Sequence, residues 1–376
     1  MKKLLGLLTL TAALCGFAVQ PQAFELQAEA YVVGDTETGR ILLERNSRSQ
    51  IAPASLTKMM TLYMLFQALE NNELTLESKI SVSEKAWRKG GSKMFVEVGK
   101  MVEVGKLIQG ITVSSGNDAC IVVAERLGGT VEGFAALMNA KAREIGLTDT
   151  TFKNASGWPE PGHVTTPLDM FKLARSLVND FPQYYHYFSQ RSFTYSGITQ
   201  YNRNGLLRRN AGVDGIKTGH TEDAGYHLVA SAERGGLRLA SVVMGTESMR
   251  AREGEALKGL SWAFGRYKSY QVAEEGQVFA ESAPVVYGLK ETLRLVAGAP
   301  VDMLLSATQH NSLSTELVYN RPLEAPITTG QQVGKIVFSA EGVPPVETPL
   351  VAGEDIGEKG IVGRAIDKVK MMMFSN

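Results

Sequence analysis

The strongest constraint on the fold is an apolar stretch that follows a serine and a lysine. Residues 58–66 read Lys-Met-Met-Thr-Leu-Tyr-Met-Leu-Phe. As a helix, this segment is apolar on most of its circumference, so it must be buried. Ser55 and Lys58 lie three residues apart at its start, after Pro53, whose fixed φ suits a helix entry. The pattern therefore predicts a lysine amine within reach of a serine hydroxyl, beside a buried helix.

Burial gives this pair a chemical use. Loss of water lowers the pKa of a lysine, and the neutral amine can then accept the proton of a hydroxyl. In the first turn of a helix, free backbone N–H groups and the helix dipole also favour developing negative charge. Ser55 is therefore a candidate nucleophile and Lys58 its base. Alone, an S-x-x-K match is expected about once by chance in a chain of this length, and an exposed helix face is the alternative interpretation.

The length and composition indicate a globular protein of two domains. The chain has 376 residues, 44% of them hydrophobic and 21% charged. Residues 1–23 combine two lysines with an apolar run and are typical of a secretory signal peptide, which we expect to be cleaved after Ala23. Loss of Lys2 and Lys3 from 39 basic and 39 acidic residues leaves a net charge of about −2, which argues against nucleic acid as a partner.

The periodicity divides the mature chain into three parts. Strand-like runs at residues 29–35, 41–44 and 213–245 flank a block of helical patterns, which predicts an α+β domain at 24–270 with an antiparallel sheet packed between helices. Short β runs with Gly and Pro turns predict a small all-β domain at 271–355. The third part, 356–376, has a helical pattern instead of a strand-like one.

Residues 361–373 form an amphipathic helical pattern. At 100° per residue most of their apolar side chains fall within an arc of about 140°. From Lys359 onward, four basic residues stand against one acid, Asp367. This composition is typical of a helix that lies in an anionic membrane interface, so we expect a membrane anchor here. A terminal helix docked on its own domain is the alternative.

Two further short motifs lie where side chains can enter a cleft. Ser115-Gly116-Asn117 falls in a break between two predicted helices, and Lys217-Thr218-Gly219 ends a predicted strand. By composition, a K-T-G tripeptide is expected in roughly one such chain in ten. All three motifs in this order are far less probable by accident.

The residue types suit acyl transfer. Ser115 could pass a proton to a leaving amine, and Asn117 could bind a substrate amide and orient Lys58. Lys217 would supply a fixed positive charge that keeps Lys58 neutral and attracts an anionic group. Gly219 would let a peptide pair with the strand edge, since it has no side chain. The backbone N–H groups of Ser55 and His220 would form an oxyanion hole.

The motifs stand in the chain as PASLTKMMT, SSGNDA and VDGIKTGHTEDAGYHLVASA. With them the sequence resembles the low-molecular-mass penicillin-binding proteins of the D-alanyl-D-alanine carboxypeptidase family, and the likeness covers nearly the whole chain. The resemblance implies a penicillin-binding, β-lactamase-like transpeptidase domain, followed by the β-rich domain and the C-terminal amphipathic helix. It assigns the following residues: Ser55 as nucleophile, Lys58 as base, Ser115 and Asn117 as the second element, and Lys217, Thr218, Gly219 and His220 as the third.

The resemblance also suggests two arginines near the terminal carboxylate of the substrate, Arg203 and Arg252. A surface salt bridge is the alternative for each. One departure from the family pattern is a slightly shorter stretch at 208–212, which follows the segment that carries Arg203.

The function implied is a serine-type D-Ala-D-Ala carboxypeptidase that removes the terminal D-alanine from peptidoglycan pentapeptides through an acyl-enzyme on Ser55. β-Lactam antibiotics would acylate the same serine, and no metal or cofactor is implied. The expected location is the periplasm, on the outer face of the bacterial inner membrane.

Three other functions compete with this one. A D,D-endopeptidase acting on peptidoglycan crosslinks would use the same motifs. A β-lactamase of class A would need a glutamate in an E-x-x-L-N segment, which is absent between Asn117 and Lys217. A non-catalytic wall-binding protein is disfavoured because the motifs are complete.

Overall fold

The computed structural model describes residues 24–209 and 211–374. The predicted signal peptide, residues 1–23, lies outside them. Strands before residue 267 are β1 (Ala30–Asp35), β2 (Ile41–Arg45), β3 (Lys79–Ser81), β4 (Met101–Glu103), β5 (Ser192–Tyr195), β6 (Ile198–Tyr201), β7 (Val213–Thr221), β8 (Gly225–Arg234) and β9 (Leu237–Thr246). The helices of the same region are α1 (Lys58–Glu70), α2 (Glu84–Arg88), α3 (Val104–Thr112), α4 (Asn117–Gly128), α5 (Val131–Glu144), α6 (Pro167–Asp180) and α7 (Met249–Arg266).

An antiparallel sheet in the order β2-β1-β9-β8-β7 organises the first domain. Successive side chains of β1 point to opposite faces of the sheet, as the pleat requires. Val32 joins a core with α1 and α6, whereas Val33 joins a second core with α7. The sheet therefore lies between helices, and the α+β prediction is confirmed. Strand β7, which carries the K-T-G motif, lies at one edge of this sheet.

The nucleophile segment differs slightly from the prediction. Residues Ala54–Thr57 form a short 3-10 turn, and α1 begins only at Lys58. Ala54 has a φ of +48°, a strained value for a residue with a side chain. In α1, ten of the thirteen residues are buried, so the all-round apolar helix is indeed internal. Ser55 therefore precedes the helix and is held in a tight turn against it.

The second domain is built from strands, as predicted. Its elements are β10 (Tyr267–Ala273), β11 (Val278–Val286), β12 (Thr292–Ala297), β13 (Val301–Ser306), α8 (Ala307–Asn311), β14 (Ser314–Tyr319), β15 (Leu323–Glu324), β16 (Gln332–Ala340), β17 (Val343–Ala352) and the C-terminal α9 (Ile361–Phe374). A six-stranded sheet in the order β14-β16-β17-β12-β11-β15 and the β10–β13 pair enclose a separate apolar core. The boundary predicted after residue 270 lies within β10, which begins directly after α7.

Arg40 of the first domain forms hydrogen bonds with the second. Arg40, in the β1–β2 connection, donates to the carbonyl of Leu304 on β13 and to Oε1 of Gln309 on α8, the latter at 3.2 Å. Its guanidinium also lies 5.6 Å from the ring centre of Tyr267. These contacts join the first domain to β10, β13 and α8 of the second.

Helix α9 contacts the β domain through its polar side. Asp367 accepts a hydrogen bond from the backbone N–H of Tyr287 at 3.0 Å and pairs with Lys359 at 2.9 Å. The apolar side chains of α9 are largely exposed. Their exposed fractions are 79% for Ile361, 76% for Val362, 52% for Ile366, 51% for Val369 and 72% for Met372. The helix therefore does not bury its apolar face on its own domain. Among the described residues, no helix has both the length and the apolar character needed to cross a membrane.

Candidate active site

The serine and the lysine of the first motif are in hydrogen-bond contact. Lys58 is fully buried, and its Nζ lies 2.9 Å from Ser55 Oγ, 2.8 Å from Asn117 Oδ1 and 2.5 Å from the carbonyl oxygen of Ser156. The amide and the carbonyl oxygen can only accept hydrogen bonds. A neutral amine uses both of its hydrogens on them, and its lone pair then faces the hydroxyl of Ser55. The arrangement orients Lys58 as a base toward Ser55.

Burial makes the neutral form of Lys58 accessible. The pKa of Lys58 is lowered from its usual 10.5 to about 8, mainly by loss of water, and the positive charges of Arg203 and Lys89 contribute to the same shift. Near neutral pH, a useful fraction of the side chain can therefore take up a proton. A base of this kind activates a serine without histidine.

The second motif lies between α3 and α4, as predicted. Ser115 has a φ of +56°, so a strained backbone presents its side chain to the cleft. Asn117 begins α4, and its Nδ2 donates to the carbonyl of Gly90 at 2.9 Å. That bond fixes the amide so that Oδ1 faces Lys58.

The third motif meets the second at Lys217. Its Nζ donates to Ser115 Oγ at 3.1 Å and to the Thr218 carbonyl at 3.2 Å. The side chain is buried, and burial, followed by the charge of Lys58, lowers its pKa well below the usual value. We expected a fixed positive charge here, and these shifts make the charge of Lys217 easier to lose than that of an exposed lysine. The more permanent charge beside the lysines belongs to the guanidinium of Arg203.

Two glycines allow close approach of the segments that form the site. A Cβ atom at Gly219 would lie 3.1 Å from the carbonyl oxygen of Pro53, so β7 packs tightly against the turn that carries Ser55. This packing adds a second reason for glycine here, and the pairing of a peptide with this strand edge stays a prediction. Gly157 has a φ of +79°, and a side chain there would collide with the carbonyl of Ala54.

The two predicted arginines reach the same cleft by different routes. Arg252, on α7, is only 3% exposed and donates from Nη1 to the Gly219 carbonyl at 3.1 Å. Its Nε has no partner among the described residues, and neither arginine forms a salt bridge with any of them. Arg203 lines the cleft from an exposed position. A surface salt bridge is therefore not the role of either side chain.

A cleft of about 390 Å³ opens over these groups. Its lining includes eight of the ten predicted residues: Ser55, Ser115, Asn117, Arg203, Thr218, Gly219, His220 and Arg252. Lys58 and Lys217 lie beneath it, bonded to Ser55 and Ser115. The ring of His220 stacks on Tyr226 at 3.9 Å.

One contributing segment, residues 154–163, was missed by sequence reasoning. It supplies the Ser156 carbonyl and the exposed Trp158 at the cleft wall. His163, interpreted from sequence as a loop residue, is in a loop but is buried, with Nε2 2.9 Å from Thr57 Oγ1. A backbone oxygen leaves no trace in the residue types, so only the fold could reveal this contact.

Two family models match the chain, one over the first domain and one over the second. Residues 17–248 match the sequence model of a family described as D-alanyl-D-alanine carboxypeptidase, and residues 267–358 match one described as penicillin-binding protein 5, C-terminal domain.

Relatives and solved structures resemble nearly the whole chain. It is 37% identical to D-alanyl-D-alanine carboxypeptidase DacA of Escherichia coli over 360 residues, which cover 94% of this chain and 89% of that protein. The crystal structure of penicillin binding protein 5 from Haemophilus influenzae superimposes with a TM-score of 0.76 at 35% identity, covering 90% of this chain and all of the other. Penicillin-Binding Protein D2 from Listeria monocytogenes, solved in the ampicillin-bound form, covers 65% of this chain and all of its own at 32% identity, with a TM-score of 0.59.

Proposed function

This chain belongs to the D-alanyl-D-alanine carboxypeptidase family of serine peptidases, and from that membership we propose the reaction that its own site performs. The chain is a D-Ala-D-Ala carboxypeptidase that removes the terminal D-alanine from peptidoglycan pentapeptides. The observation that supports this most is the contact of Ser55 Oγ with the buried amine of Lys58 at 2.9 Å.

Acylation follows from the contacts of Lys58. Ser55 attacks the carbonyl carbon between the two D-alanines while Lys58 takes the hydroxyl proton. The backbone N–H groups of Ser55 and His220 stabilise the oxyanion. The C–N bond then breaks, and D-alanine leaves with a proton that passes from Lys58 through Ser115. Water attacks the acyl-enzyme and releases the shortened peptide and free Ser55.

Cationic groups bind the carboxylate of the departing D-alanine. Arg252 is buried, its Nε is unpaired, and its pKa, lowered by burial to about 10, still leaves it charged at neutral pH. Thr218 lines the cleft beside it, and Lys217 lies next to Thr218. An incoming carboxylate would favour the protonated form of Lys217, and that positive charge would help to keep Lys58 neutral, which is the form that acylation needs.

β-Lactams bind to the same groups. One relative was solved with ampicillin bound, and the predicted nucleophile is present here in the same motif set. We propose that these antibiotics acylate Ser55 and leave slowly.

We also propose that the protein is periplasmic and anchored by α9 at the outer face of the inner membrane. The support is the row of exposed apolar side chains on α9 and the basic residues beside them, while the polar contacts of Asp367 hold the helix to the β domain. A membrane that contains anionic lipid would bind the apolar side chains through its acyl chains and the basic residues through its headgroups.

One assay tests the reaction and its alternatives. The purified chain is given a pentapeptide ending in D-Ala-D-Ala or a crosslinked peptide dimer, and free D-alanine and cleaved dimer are followed. We expect D-alanine from the pentapeptide, none with Ser55→Ala, and full activity with Ser269→Ala on the exposed side of β10. Faster cleavage of the dimer would indicate an endopeptidase, and activity that survives in Ser55→Ala would refute the mechanism.

A further inference from the structure

A buried histidine of β8 lies beside the K-T-G motif and is not used in the chemistry described above. His227 has no exposed surface, and its register partner on β7 is Gly219. Partners in antiparallel strands point to the same face of the sheet. A Cβ atom at Gly219 would meet the carbonyl of Pro53 on that face, so the side chain of His227 also faces the segment that precedes Ser55.

Both ring nitrogens of His227 are hydrogen bonded to backbone groups. Nδ1 accepts from the N–H of Gly245, near the end of β9, at 3.0 Å. Nε2 lies 3.1 Å from the carbonyl oxygen of Ala52. A backbone N–H can only donate and a carbonyl oxygen can only accept, so the ring is neutral and carries its proton on Nε2.

The surroundings of His227 favour the same neutral form. Burial lowers the pKa of His227 to about 4, and the positive charge of Arg252 acts in the same direction. A second proton would sit on Nδ1 and face the N–H of Gly245, which would break that hydrogen bond. At neutral pH the ring is therefore a rigid spacer between two backbone groups.

The turn that carries Ser55 requires a restraint of this kind. Ala54 has a φ of +48°, a strained value for a residue with a side chain. A strained backbone persists only where the surrounding structure determines it. Ala52 lies two residues before the strained position and is bonded to His227 on β8. This bond therefore restrains the chain just before the turn.

The same ring connects the two donors of the proposed oxyanion hole. The N–H of Ser55 belongs to the turn, and the N–H of His220 belongs to β7. His220 pairs in register with Tyr226, the sequence neighbour of His227. The sheet therefore fixes the ring relative to one donor, and the hydrogen bond to Ala52 fixes it relative to the other.

We propose that His227 is a positioning residue for the oxyanion hole, which holds the turn of Ser55 at a fixed distance from β7 through the carbonyl of Ala52. The proposal rests on the carboxypeptidase function above. An oxyanion hole acts in the transition state, and each donor must be aimed at the position where negative charge develops. A shift of the turn relative to β7 therefore slows acylation without weakening the binding of the peptide.

The test replaces the ring by side chains with and without polar atoms. His227→Phe fills the space but makes neither hydrogen bond, whereas the amide of His227→Gln offers one acceptor and a donor. Loss of a whole oxyanion donor costs about 10²- to 10³-fold in kcat, so a displaced donor costs less. For release of D-alanine, we expect kcat to fall about tenfold in His227→Phe, with KM within about twofold, and to recover to within about threefold in His227→Gln.

The vibration of the acyl carbonyl reports directly on the oxyanion hole. Hydrogen bonds from the hole weaken the C=O bond of an acyl-enzyme and lower its stretching frequency. Infrared spectra of the penicilloyl-enzyme on Ser55 should therefore show a higher carbonyl frequency in His227→Phe than in the unaltered protein. His227→Gln should restore the lower frequency.

A matched control separates positioning from stability. Leu239 is buried and pairs with Ala232, which lies about 17 Å along β8 from His227. Leu239→Ala leaves a cavity in the core of the first domain, so it should lower Tm. It should leave kcat and the carbonyl frequency of the folded protein unchanged.

A further measurement needs no variant in order to be decisive. In the protein labelled with ¹⁵N-histidine, NMR at neutral pH should show the ring of His227 with an unprotonated Nδ1 and a slowly exchanging proton on Nε2. The signal is assigned by its absence from His227→Gln. A ring protonated on Nδ1 would overturn the inference, because it could not accept from Gly245.

The other outcomes separate the inference from the function on which it rests. An unchanged kcat or carbonyl frequency in folded His227→Phe would overturn the inference, and so would a His227→Gln variant that is as slow as His227→Phe. An equal loss of kcat in Leu239→Ala would also overturn it. If the unaltered protein neither releases D-alanine nor reacts with penicillin, the proposed function itself fails.

Discussion

Helices α1 and α9 are both rich in apolar residues, but the fold uses them in opposite ways. Ten of the thirteen residues of α1 are buried, whereas five large apolar side chains of α9 are at least half exposed. Each helix also carries lysines. Lys58 in α1 is fully buried, and Lys368 in α9 is exposed.

The difference shows what an apolar pattern does to the polar residue within it. In α1, burial removes water from Lys58 and so converts an ordinary cation into a base. In α9, a one-sided pattern leaves the cations in water and presents an apolar face to something outside the protein. We propose that the first arrangement serves catalysis and the second serves attachment to a membrane surface.

The largest expected effect comes from removing the lysine of α1. Lys58→Ala should lower D-alanine release and penicillin acylation by about 10²- to 10⁴-fold, because the proton of Ser55 loses its acceptor. The matched change in α9, Lys368→Ala, should leave both rates unchanged. Rates are measured with a soluble peptide and purified protein. An equal loss of rate in Lys58→Ala and Lys368→Ala would contradict the different roles of the two lysines.

The next effect comes from removing α9. A chain that ends at Gly360 should bind vesicles containing anionic lipid at least about a hundredfold more weakly, since the exposed apolar side chains are lost. Its activity on a soluble pentapeptide should remain. Replacement of Ile366 and Val369 by Asp, with the basic residues intact, should weaken binding almost as much. Vesicle sedimentation measures all three proteins, and binding that survives truncation would place the anchor elsewhere.

Much of this contrast could be predicted from the sequence, because both helices have periodic patterns. The three motifs are local, and the structure brings their side chains together as expected. A second reason for Gly219 could not be predicted, since the neighbour of its missing Cβ atom is the Pro53 carbonyl, which is distant in sequence.

Three features of the structure could not be predicted from the amino-acid sequence. Strand β17 contains Pro344, Pro345 and Pro349, which argue against a strand, yet it pairs with β16 and β12. The lowered pKa of Lys217 comes first from its burial and then from a second buried amine about 160 positions away in sequence, and spacing alone reports neither. The acceptor of Lys58 on Ser156 is a backbone oxygen, for which any residue type would serve.

The smallest effect per step, about tenfold for one unit of pH, probes the burial of Lys58 directly. Only the neutral amine accepts the proton of Ser55, and the pKa of Lys58 is lowered to about 8. Below that value, each unit of pH should therefore reduce the acylation rate about tenfold, and above it the rate should level off. Arg203→Gln removes a charge that lowers this pKa, so the plateau should move to higher pH. Penicillin acylation followed by stopped flow measures both profiles, and a rate independent of pH between 5 and 8 would mean that Lys58 is not the base.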